Sequence, residues 1–160
     1  MTTVIGVIAE SLEEGWARYH ADPVDPLGFF DRIFGGGFKI GEGGWQYTVP
    51  PTKVPKSPNP SLTDLDCVEN PGSYPVDSRF VFPSIGVKAF NSILFVAPNI
   101  VRIECVVDFG EANDDGFGNP PEFWEFAIFD SAGHMVAYFT FPVDTKYATT
   151  QLIYEIDIII

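Results

Sequence analysis

The chain has 160 residues, a net charge of −13, 46% hydrophobic residues, and 15 Phe, 15 Gly and 14 Pro. That length suits one domain with a sizeable core, and the hydrophobic content excludes an unfolded tail. The acidic balance repels phosphate backbones and argues against a nucleic-acid partner, and no run reaches the ~18–20 apolar residues of a membrane helix.

Residues 3–20 carry Ile5, Ile8, Leu12, Trp16 and Tyr19 at steps of three and four, the spacing of an amphipathic helix. Thr2 or Thr3 stands where a cap belongs, and Asp22-Pro23 and Asp25-Pro26 end the helix. Residues 27–34 add a further helical turn or two, so 3–34 is expected as a helical lead-in. The run Val4 to Ala9 is too short, and too closely followed by Glu10, Glu13 and Glu14, to read as a signal peptide. After Gly35-Gly36-Gly37 comes a short strand, Phe38 to Gly41, and then Glu42-Gly43-Gly44-Trp45. Prolines at 50, 51, 55, 58 and 60 make 49–60 an extended arm that is unfit for a central strand. Residues 61–66 suit one helical turn and 67–78 a loop, with Asn70-Pro71-Gly72 as a turn. The β core is expected over 79–160, beginning with strands at Arg79–Phe82 and Lys88–Ala97.

The strongest pattern lies between Val101 and Pro142. Val101, Ile103, Cys105, Val107 and Phe109 alternate with Arg102, Glu104 and Asp108, which marks a half-buried strand over 101–109. Phe123 to Phe129 is apolar except for Glu125, as in a central strand covered on both faces. Asp130-Ser131-Ala132-Gly133 is a hairpin turn leading to a third strand at 135–141. The expected core includes Val101, Ile103, Cys105, Val107, Trp124, Phe126 and Ile128. From Gln151 to Ile160, Leu152, Tyr154, Ile156, Ile158 and Ile160 alternate with Ile153, Glu155, Asp157 and Ile159. The fold class is therefore mainly β: an antiparallel β-sandwich or open barrel with an N-terminal α-helix.

Candidate chemistry is sparse. Glu111, Asn113, Asp115 and Glu122, with Gly116 between them, follow the oxygen spacing of a calcium loop. Against that, the first position is Glu, Pro120 and Pro121 interrupt the loop, and the flanks are strands; an acidic connection between antiparallel strands accounts for the same residues. Cys67 and Cys105 are the only cysteines, so a single bridge is the most they allow. Cys105 lies in the inward set of its strand, where it serves as a small hydrophobe. A zinc site requires both cysteines to meet His20 and His134. Glu122 and Glu125, three apart on a strand, face opposite sides and do not form a glycosidase pair. No Gly-x-Ser-x-Gly and no phosphate-loop pattern occurs. Trp16, Trp45 and Trp124 suit either a core and subunit interface or a sugar-binding surface.

Several of these pieces together resemble the tail-collar type domain at the start of phage and prophage tail-fibre proteins. They are Phe38-Lys-Ile-Gly-Glu-Gly-Gly44, a proline-containing loop, Leu62-Thr-Asp-Leu65, the strand from Val101, and Glu125-Phe-Ala-Ile-Phe-Asp-Ser-Ala-Gly-His-Met-Val-Ala-Tyr138, followed by Phe141-Pro142 and Lys146. The family form of the last piece is E-x-G-x-F-D-x-x-G-x-x-x-A, from which this chain departs at Ala127. The resemblance spans roughly 5–158. It implies a non-enzymatic structural or adaptor component of a phage tail or related contractile injection machine, made in the host cytoplasm and resident in the virion, with no cofactor and no catalytic residues. Family members continue into a long fibre where this sequence stops, so a baseplate, neck or fibre-attachment role is expected. Expected partners are other tail or baseplate proteins and further copies of the chain, with no membrane or nucleic acid among them. Lys53, Val54 and Lys56 in the arm, and Ile158 and Ile160 in the last strand, are the interface candidates. The alternative is a carbohydrate-binding β-sandwich that contacts a host surface.

Overall fold

The structure is a computed structural model that describes residues 5–8, 35–49, 52–57, 79–97, 100–131, 133 and 135–159. These residues form strands β1 (Ile5–Ile8), β2 (Gly37–Gly41), β3 (Trp45–Val49), β4 (Thr52–Pro55), β5 (Phe80–Phe82), β6 (Lys88–Ala89), β7 (Ser92–Ala97), β8 (Ile100–Val107), β9 (Glu122–Phe129), β10 (Met135–Thr145) and β11 (Leu152–Ile159). The main sheet runs β1-β10-β9-β2-β5, with β6 also on β2; a second sheet runs β11-β8-β7, and β3 and β4 form a separate ribbon. All pairings among the described strands are antiparallel.

The two larger sheets share one core. Register places Phe38, Ile128 and Ala137 in one cross-strand row of the main sheet, and Ile40, Phe126 and Phe139 in the next. In the second sheet Ile103 lies opposite Ile156, Cys105 opposite Tyr154, and Val107 opposite Leu152. These two sets belong to one apolar cluster. Phe126 stacks on Phe38 at 5.3 Å from one side and meets Tyr154 of the second sheet, also at 5.3 Å. The expected core is buried: Val101, Ile103, Cys105, Val107, Trp124, Phe126 and Ile128 all lie out of solvent. Cys105 carries a free thiol, and burial raises its pKa. Cys67 lies outside the described residues, as do His20, His134 and Trp16.

Three expectations need correction. The helix expected from residue 3 is not present at its start, because Ile5–Ile8 is a strand paired with Ala137–Thr140. Ile-Gly-Val-Ile combines β-branched residues with glycine, a poor helix former, and the edge of β10 offers it backbone partners. Residues 9–34 lie outside the described set, and among the described residues no helix is long and apolar enough to cross a membrane. The strand from 101 stops at Val107, leaving Phe109 exposed. There the Glu111 carboxylate accepts the Asp108 N–H at 2.9 Å and the Glu111 N–H donates to the Asp108 carbonyl at 3.0 Å, closing a turn. The third strand runs on through Pro142 to Thr145. A register shift between Thr140 and Asp144 accommodates the proline, which has no N–H for a regular ladder. The proline-containing arm, expected to be extended and outside any central strand, is extended over Thr52–Pro55. It folds back as β4 on β3, an outer ribbon where a missing proline N–H costs no central ladder bond.

The hairpin after β9 forms as expected: the Gly133 N–H donates to the Asp130 carbonyl at 3.0 Å, and Gly133 has φ of 86°. Gly36, one residue before β2, is held for another reason. A Cβ there would lie 1.9 Å from the Phe129 carbonyl oxygen. Gly36→Ala is expected to force β2 away from the end of β9 and lower stability by ~1–3 kcal/mol, read as a lower urea midpoint. An unchanged midpoint would contradict this close approach.

Candidate functional site

Where β2 ends, the chain turns through Glu42-Gly43-Gly44 over the outer face of the main sheet. The turn closes on Glu125, which is fully buried. One carboxylate oxygen of Glu125 accepts the Gly43 N–H at 3.0 Å and the Arg79 N–H; the other accepts the Tyr138 hydroxyl at 2.7 Å. Gly41 is needed at this junction, since a Cβ there would lie 2.2 Å from the Glu125 oxygen. Gly44 adopts φ of 77° and packs against the Glu125 side chain. Burial pushes the Glu125 carboxyl up to about 7, against the downward pull of its three hydrogen bonds. The glycine turn, the start of β5, β9 and β10 are thus tied to one side chain.

Beyond this junction a cleft of about 800 Å³ opens between the β3–β4 ribbon, Arg79 and the end of the acidic loop. Trp45, Tyr47 and Trp124 supply its aromatic surface. Trp45 and Tyr47 are two apart on β3 and meet edge to face, with ring centres 5.1 Å apart. The Trp45 indole N–H donates to the Glu42 carbonyl at 2.9 Å. Tyr47 is 52% exposed and Trp124 only 6%. The Trp124 indole nitrogen is buried with no hydrogen-bond partner among the described residues.

The charged groups of the cleft include two opposite pairs. The Lys53 ammonium sits 4.4 Å over the Trp45 ring and 3.5 Å from a Glu122 oxygen. The Arg79 guanidinium pairs with Glu42. Lys56 is anchored to the fold through its backbone: its N–H donates to Gly44 and its carbonyl accepts the Thr140 hydroxyl, both at 2.8 Å. Asp115 accepts the N–H groups of Phe117 at 2.8 Å and Asn119 at 3.1 Å, which hold its carboxyl below the usual range.

The calcium-spaced residues are drawn to different partners. Glu111 pairs with Lys88. The Asn113 carbonyl oxygen accepts the Lys146 ammonium at 2.8 Å, while the Asn113 amide donates to Phe109. Lys146 is fully buried and reaches the loop through Asn113. Asp115 and Glu122 instead line the cleft. Among the described residues no three His, Cys, Asp or Glu side chains converge as a metal site would require.

Of the interface candidates, Lys53 and Lys56 line the cleft and Val54 is half-buried in β4. Ile158 packs against the shared core, and Ile160 lies outside the described residues. The sequence reading anticipated Trp45 and Trp124 as possible sugar-contacting residues but missed Gln46, Tyr47, Arg79 and Asn119. The Trp45–Tyr47 spacing, two residues apart on one face of a strand, was the available signal for Tyr47. No family model, no curated protein and no solved structure matches the chain.

Proposed function

We propose that this chain is a structural or adaptor component of a phage tail or related contractile injection machine, acting at a baseplate, neck or fibre-attachment position without catalysis. One observation supports the reading beyond the motif resemblance. The separate pieces that carry the resemblance interlock: Glu125 of the later piece accepts the N–H of Gly43 in the earlier one, 82 residues away. Lys146, the last residue of that resemblance, is buried and bonds to the acidic loop and to the Tyr147 carbonyl. Residues of the kinds a structural module needs are therefore used to hold its own segments together.

The partners under this proposal are neighbouring tail proteins and further copies of the chain. β11 lies at one edge of the three-stranded sheet among the described strands, with its inner side chains on the core. Its backbone edge is the place where a neighbour would add a strand. An epitope-tagged chain, imaged by immunogold labelling on particles purified from cells that express it, is expected to mark one fixed location on the tail. Purified tails that carry no label, from cells rich in the tagged chain, would overturn the assignment.

A further inference from the structure

We infer that the cleft beside the β3–β4 ribbon is a binding site for a neutral oligosaccharide. This goes beyond the tail assignment and does not depend on it.

The size fits first. About 800 Å³ lies within the ~300–1,000 Å³ range of small-ligand sites. The charge balance then narrows the class. Although the whole chain carries −13, three cations, Lys53, Lys56 and Arg79, and three acids, Glu42, Asp115 and Glu122, line the cleft. Lys53 is already matched by Glu122, and Arg79 by Glu42. A charged ligand would compete with those pairs, whereas a neutral ligand leaves them intact.

The surface is also amphipathic in the way a sugar is. Tyr47 is the aromatic side chain that a ligand can reach, half-exposed where Trp124 is only 6% exposed. Rings of this kind cover the C–H face of a pyranose, while its hydroxyls meet polar groups at the edges. Gln46 and Asn119 add amide groups that both donate and accept. Each ion pair keeps spare donor or acceptor capacity: a carboxylate accepts several hydrogen bonds, an ammonium donates three and a guanidinium five. Neighbouring hydroxyls, each both donor and acceptor, satisfy such mixed partners together.

The position suits recognition. β3 and β4 are anchored to the main sheet through the Thr140–Lys56 and Lys56–Gly44 bonds. The Glu125 junction fixes the start of the ribbon at Gly43. The cleft is therefore largely built before a ligand arrives, which lowers the entropy lost on binding.

The test uses the full chain, titrated with cellohexaose, maltohexaose, chitohexaose and mannohexaose, followed by tryptophan fluorescence and saturation-transfer NMR. At least one of these sugars is expected to bind with a Kd on the order of 1 mM or tighter. Tyr47→Ala and Gln46→Ala, both at exposed positions where folding is retained, are each expected to weaken that binding by roughly threefold to tenfold. Raising the salt concentration is expected to leave it nearly unchanged, because the ligand carries no charge. The inference fails if none of the four sugars binds. It fails equally if binding survives both substitutions, or if the cleft instead takes an acidic peptide in a salt-sensitive manner. A labelled tail with no sugar binding would retain the tail assignment and reject the sugar site.

Discussion

Glu125→Ala is expected to lower stability by ~3–5 kcal/mol, with a fall in Tm on the order of 10 °C for a chain of this size. The substitution strands three donors that now converge on the carboxylate: the N–H groups of Gly43 and Arg79 and the Tyr138 hydroxyl. The Gly43 and Tyr138 donors are buried and the Arg79 N–H is part-buried, and an unsatisfied buried donor costs about 1–3 kcal/mol. Glu125→Gln keeps one oxygen for the two backbone donors and is expected to cost less. Thermal unfolding of both variants provides the check, and an alanine variant as stable as the glutamine variant would show that the carboxylate is not the tie between these segments.

The same side chain gives a pH dependence of defined sign. Burial raises the folded carboxyl to about 7, above its ordinary value of 4.5. Between those two values the folded chain binds more protons than the unfolded chain, so stability falls as pH rises through this window. Glu125→Gln does not titrate. Relative to the parent it should therefore gain stability as pH rises, by on the order of 2 kcal/mol between pH 5 and pH 8. Urea unfolding at a series of pH values measures this difference, in which the other titrating groups largely cancel. A difference that stays flat, or shrinks as pH rises, would contradict the buried placement of Glu125.

Phe126→Ala is expected to cost ~3–5 kcal/mol, because it opens a cavity between the two sheets. Phe126 is 2% exposed, stacks on Phe38 and touches both Phe139 and Tyr154. It thus joins β2, β10 and β11 from its place in β9. Phe117, 88% exposed in the acidic loop, is the control, and Phe117→Ala should change stability by less than ~0.5 kcal/mol. Urea midpoints distinguish the two. Equal effects would mean that the two sheets do not share the core described.

Sequence alone determined where several strands run. In β8 and β11 one face is core and the other carries the charged residues, so residues two apart match: Ile103, Cys105 and Val107 in one, Tyr154, Ile156 and Ile158 in the other. The Asp130–Gly133 turn was equally legible, because positive φ at Gly133 is a local requirement. The almost continuous apolar run of β9 announced a strand covered on both faces, as its burial confirms. What depended on distant partners was not legible. Ile5–Ile8 is a strand because β10 lies beside it, and its spacing alone also fits a helix. Glu125 looked like an interruption in an apolar run; only the arrival of Gly43 and Arg79, 82 and 46 residues away in sequence, makes it the tie of the junction. The cleft has the same origin. Trp45, Tyr47, Arg79, Asn119 and Trp124 come from four separate stretches, and folding brings them together. Alternation and turn geometry follow from forces within a few residues, whereas strand order, bulges and convergent side chains follow from contacts that exist only once the sheets have packed.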